Sequence, residues 1–157
     1  MSAPVDSQIL AALKALLDSQ VWPTGVGVHV GRSDADPFEL AELPAVNLLP
    51  IDEDVSTASM MGAAVGVPVL QLHTIKLVVQ VVTRGGSAAE DAARSISAQC
   101  AQAIGQNPTL GGVCSQVLTP VAKQWLRDDG AEQRLCRQNT LYSGAYRTYS
   151  DNPYQAV

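Results

Sequence analysis

Charge is the scarcest commodity in this sequence. Charged residues make up 16% of the 157 positions, against roughly 25% in ordinary soluble domains. Charged side chains resist burial, so a chain that hides surface against partners can carry fewer of them. The shortage therefore points to an oligomer, or to a monomer whose polar surface is made of Ser, Thr, Gln and Asn. Basic clusters are missing too: the ten Lys and Arg are scattered and the net charge is −5. Duplex binding needs concentrated positive charge, so no direct sequence-specific nucleic-acid contact is expected. Paired cysteines are also absent. Cys100, Cys114 and Cys136 lie far apart with no Cys-x-x-Cys, which argues against a zinc site or redox pair and for reduced thiols in a cytoplasm. No long apolar run spans a membrane, because Met60 to Val82 is broken by Pro68, Gln71, His73, Lys76 and Gln80. The first residues have neither the basic start nor the apolar core of a signal peptide.

Catalytic signatures are likewise missing. There is no Gly-x-Ser-x-Gly, Walker loop, His-Glu-x-x-His or Gly-x-Gly-x-x-Gly. The two histidines, His29 and His73, fall in strand-like segments without a marked partner, which favours structural roles. Asp34/Asp36 and Asp52/Glu53/Asp54 are compatible either with a divalent ion that recruits further oxygens or with solvated loops. No catalytic residue, cofactor or resident metal is expected.

The pattern that is present reads as one α+β domain over residues 1–157. Ile9, Leu10, Leu13, Leu16 and Leu17 form an apolar stripe on a helix over 6–19, with Asp6 or Ser7 as its cap and Trp22-Pro23 as its end. Strands follow at 25–32 and 44–51. Residues 52–68, rich in acid, Ser, Ala, Met and Gly, read as a mobile loop or a hairpin arm. A long strand covers 69–83, and its later part is apolar on both faces, so a helix should cover one side and a neighbouring subunit could cover the other. A second helix over 87–104 starts with the Ser87/Glu90 capping box and presents Ala89, Ala92, Ala93, Ile96, Cys100, Ala103 and Ile104. Strands at 113–128 and 131–149 flank Asp129-Gly130, a two-residue hairpin signal that would set Arg127 opposite Glu132, Leu118 opposite Leu141 and Val117 opposite Tyr142. The expected architecture is a mixed, mostly antiparallel sheet with two helices packed on one side and a long C-terminal β-hairpin.

Three segments bring a family into view. They are Glu42-Leu43-Pro44-Ala45-Val46-Asn47-Leu48-Leu49-Pro50, then Asn107-Pro108-Thr109-Leu110-Gly111-Gly112-Val113-Cys114, and finally Tyr146-Arg147-Thr148-Tyr149-Ser150-Asp151-Asn152-Pro153. Together with the element order over residues 6–153, they resemble the tail terminator (tail completion) proteins of long-tailed bacteriophages. The resemblance implies a virion protein that assembles in the host cytoplasm. It would form a homo-oligomeric, hexameric ring that caps the tail tube, ends tail polymerisation and offers its other face to a neck or head completion protein. A neck or head–tail connector subunit is the neighbouring alternative, and a small-molecule-binding domain or enzyme is the alternative of another class. Reach and exposure point to Asp52, Glu53, Asp54, Met60, Met61, Trp125, Arg127 and Arg134 as the contact residues. Gly111 and Gly112 are read as turn formers.

Overall fold

The computed structural model describes residues 3–23, 25–33, 36–57, 67–85, 87–128 and 135–157. Helix α1 is Val5–Asp18. Strand β1 (Gly27–Val30) leads through a 3₁₀ turn at Leu40–Glu42 into β2 (Ala45–Thr57). Strand β3 (Leu70–Arg84), helix α2 (Ser87–Gln106), strand β4 (Gln116–Asp128) and strand β5 (Leu135–Tyr149) complete the order. The five strands form one sheet in the order β1-β2-β3-β5-β4, with β1 parallel to β2 and every other pair antiparallel. Both helices pack on one face, α1 against β1 and α2 against β3 and β5. The expected α+β class and layering are therefore present.

The core forms where the periods of 3.6 and 2 meet. Val5, Ile9, Leu13 and Leu17 of α1 are buried against Val46, Leu48, Ile75, Leu77, Val79 and Val81 of the sheet. On α2 the small residues Ala89, Ala93 and Ala103 let the helix lie close, and Ser97 takes the buried place expected for Ala92. On the opposite sheet face, Val82 is covered by a small cluster of Phe38, Leu40 and Leu43 from the β1–β2 connection. Beyond it, Leu49, Gln80, Asn139, Leu141 and Ser143 are only half-buried. No helix among the described residues is long and apolar enough to cross a membrane.

The start of α1 departs from the sequence reading. Neither Asp6 nor Ser7 caps it, and Pro4 stands at the cap position with no side-chain bond. The chain's far end does the work: the Pro153 carbonyl accepts the Val5 N–H at 3.2 Å, and Gln8 Nε2 donates to the Tyr154 carbonyl at 2.9 Å. A backbone carbonyl from 148 residues away satisfies one of the orphan donors that a local side chain usually takes. The Asn107–Cys114 segment is a compact turn in which Leu110, Gly111 and Gly112 have φ of 49, 72 and 93°. Only glycine adopts such angles without steric cost, so the two glycines act as turn formers, as expected. The turn fixes the entry to β4 through Leu118 N–H donating to the Pro108 carbonyl at 3.1 Å.

The hairpin register is the clearest correction. Arg127 pairs with Cys136, Ala122 with Leu141 and Pro120 with Tyr142, so the predicted partners Glu132, Leu118 and Val117 do not hold those places. The last described pair is Asp128 with Leu135, four residues out of step with a two-residue turn at Asp129-Gly130. Residues 129–134 lie outside the described residues. The reason is burial: β5 alternates strictly, with Cys136, Gln138, Thr140 and Tyr142 facing the helices. β4 must present Leu118 to that same layer, so the buried face outweighs the local turn signal. Two bulges in β4, between Gln116 and Thr119 and between Pro120 and Ala122, absorb the slack.

Candidate functional site

The upper half of β2 is where the chain's unusual features converge. Residues 52–57, read from sequence as the start of a loop or arm, are strand residues that continue β2 and pair with Gln71–Lys76 of β3. Acidic residues disfavour strand, but β3 offers a long template, and the antiparallel pairing is compatible with the hairpin-arm alternative. A register shift at Ile51 then changes which way the acids point. Asp52 and Asp54 stand beside Lys76, with O···N distances of 3.9 and 3.6 Å. Glu53 points to the helix-covered face.

There Glu53 meets two buried donors. Its Oε1 accepts the Tyr146 hydroxyl at 2.6 Å and lies 2.6 Å from Nδ1 of His73. His73 Nε2 lies 2.9 Å from Oγ1 of Thr148, which is buried. The imidazole stacks on the Tyr146 ring with centroids 4.5 Å apart. The simplest proton arrangement has Thr148 donating to Nε2, Nδ1–H donating to Glu53 and Tyr146 donating to the same carboxylate oxygen. Both ring nitrogens of His73 are then occupied, and neither is left to take a proton from a substrate. The cluster ties β2, β3 and β5 together. Sequence gave no signal for it, since the four residues come from three strands and only the fold makes them neighbours.

The acids do not form a metal cage. Glu53 is separated from Asp52 and Asp54 by the sheet, Asp36 is held by Arg32 Nε at 2.7 Å, and Asp34 lies outside the described residues. No group of three or more His, Cys, Asp or Glu able to hold an ion is present among the described residues. A shallow groove of about 240 Å³ runs between α1 and the β2 bulge, lined by Asp6, Leu10, Ile51 and Glu53 among others.

The other expected contact residues fall in different places. Trp125, on β4, is half-buried against the core, with the Arg94 guanidinium of α2 over its ring at 5.3 Å. Arg127 is near the end of β4, paired with Cys136. Met60, Met61 and Arg134 lie outside the described residues. The edge strands also expose Ile51 of β2 and Val117 and Val121 of β4, which the sequence reading does not single out, and Val55, which it places in the contact arm. Valines in strands usually read as core, so nothing in their identity flags them.

The three cysteines are free and buried. Burial pushes the Cys100 thiol up to about 12 and Cys114 up to about 11. Tyr142 rises to about 12, by burial first and then by the neighbouring Cys100 charge. Tyr146 is raised further, by burial and then by its bond to Glu53. In each case the folded state holds the neutral form while the unfolded chain ionises first. The contribution to stability is whole below about pH 9 and is lost as pH rises toward about 12. Thermal melts across that window should show a falling midpoint. Cys100→Ala should start less stable but lose less as pH rises, and an equal slope in both proteins would contradict this account.

Among solved structures, the chain is similar to one from the "Virion of native gene transfer agent (GTA) particle", with 18% identity, coverage of 92% of each chain and a TM-score of 0.38. At that score the likeness carries no functional argument. No family model and no curated protein matches.

Proposed function

We propose that the chain is a structural virion subunit that closes with copies of itself into a ring capping a phage tail tube. The ring would end tail polymerisation and present its other face for joining to the head or neck. Six copies are the number implied by the resemblance to tail terminator proteins. The observation that carries the reading is a sheet that, among the described residues, is finished on its helix-covered face and unfinished at both edges. β1 covers only Ala45–Leu48 of β2, and β4, on the far side, has β5 as its one neighbour in the sheet. Open edges seek partners, and two different open edges on one molecule favour head-to-tail association, which closes into a ring. The low charge fits extensive contact with other chains. Among the described residues, the His73–Glu53 pair holds strands together, which speaks against an enzyme.

The test is to remove the gene from the virus that carries it and to measure tails by electron microscopy. Tails of uncontrolled length that fail to join filled heads, with normal length restored by supplying the protein, are the expected result. Tails of normal length that remain unjoined would move the protein to the neck. Normal virions would remove it from both positions.

A further inference from the structure

The proposed ring needs a seat on each subunit for the next one, and the sheet offers two edges of opposite character. Among the described residues, nothing pairs with the outer edge of β2 over residues 49–57, because β1 stops at Val30 opposite Leu48. Nine residues of strand amount to about 30 Å of unpaired backbone. This edge carries three charges, Asp52, Glu53 and Asp54, all negative. It also exposes Ile51 and Val55, at 58% and 54%. The outer edge of β4 carries a single charge between residues 116 and 126, the positive Lys123. It exposes Val117 and Val121, at 51% and 61%.

Following the pairings across the sheet shows that the exposed apolar side chains stand at similar heights, whereas Lys123 stands level with Leu48. Leu49 pairs with Val78, Val78 with Leu141, and Leu141 with Ala122. Asp54 pairs with Thr74, Thr74 with Ala145, and Ala145 with Gln116. Residues 116–122 of β4 therefore lie level with 49–54 of β2, which brings Val121 near the level of Ile51 and Val117 near that of Val55. The directions also agree. β3 is antiparallel to β2, β5 to β3 and β4 to β5, so β4 runs opposite to β2. Rotation about an axis along the strands preserves those directions, and β4 of one copy then meets β2 of the next antiparallel.

We propose that the free edge of β2 over residues 49–57 is the seat for residues 116–122 of β4 from a second copy of this chain, so that the sheet continues from subunit to subunit. This rests on the ring reading above. The β4 bulges bend the strand at the level where it must pass the end of the neighbour's β1. Lys123 would meet its own charge in a contact between two β4 edges, so those edges are poor partners for each other. Six copies of five strands at about 4.8 Å spacing would make a sheet about 140 Å around and about 45 Å across.

The experiment uses the full chain with single cysteines introduced at exposed sites, Ile51→Cys and Val121→Cys. The native thiols are buried and poorly ionised, so they compete little. Each variant is oxidised alone and as an equimolar mixture, under conditions in which native mass spectrometry shows a ring, on tail tubes if the free protein is monomeric. Disulfide-linked dimers in the mixture and not in either variant alone are expected. Val121→Lys, at an exposed site that spares the fold, should shift the mass from ring to monomer. Cross-linking of Val121→Cys with itself would overturn the proposal in favour of a two-fold contact. A ring that persists in Val121→Lys and does not cross-link in the mixture would overturn the edge contact and leave the ring standing. No ring, free or on tubes, would overturn both.

Discussion

Glu53→Ala lowers the free energy of unfolding by about 1–3 kcal/mol, because it removes the acceptor that two largely buried donors share. Those donors are the Tyr146 hydroxyl and the His73 Nδ1–H, both bonded to Oε1 of Glu53. Tyr146 and His73 are 4% and 8% exposed, whereas the Glu53 side chain is 31% exposed, so water entering its place recovers part of the loss. Glu53→Gln keeps an oxygen in the same position and should lose much less. Asp52→Ala and Asp54→Ala are the internal controls. Their partner Lys76 is exposed, and exposed ion pairs are worth about 0–1 kcal/mol. Urea titrations followed by tryptophan fluorescence measure all four. Equal losses at the three consecutive acids would show that the bulge at Ile51 does not sort them as described.

Leu77→Ala should cost about 2–5 kcal/mol in the same titration, as expected for a large-to-small change at a fully buried site. Leu77 lies in the central strand between Pro50 and Tyr142 and faces the helices. Leu141→Ala, one residue along on the open face, should cost about 1 kcal/mol in the isolated subunit. If subunits associate, apparent stability rises with protein concentration, and the concentration dependence, not the dilute-solution value, is where the open face and the edges become visible. A loss at Leu77 no larger than at Leu141 would mean that the two faces are not distinguished as the structure has them.

Element identity was legible because it depends on local periodicity. The α1 stripe at Ile9, Leu13 and Leu17, the small-residue face of α2 and the β-branched run of β3 each announce their type over a few residues. Where the reading failed or left alternatives open, a distant partner intervened. The cap of α1 comes from Pro153, the acids at 52–54 are strand because β3 lies beside them, and the β4 register follows Leu118 and the buried face of β5. Asp52, Glu53 and Asp54 are all exposed strand residues, but Glu53 points to partners on β3 and β5, a direction the sequence does not reveal. Val117, Val121 and Ile51 carry no signal, because an apolar residue at an open edge and one in a core look the same in a sequence.

The sequence by itself determined the α+β class, the two helices on one side, the turn at Gly111-Gly112 and the scarcity of charge that points to assembly. Each of these follows from composition or from a repeat of 2 or 3.6 residues, which the chain carries whatever it packs against. Only the tertiary structure decided which strands end the sheet, which faces their side chains take after a bulge, and which residues become neighbours. Those depend on pairings across tens of residues, and such pairings are settled by the burial of whole faces.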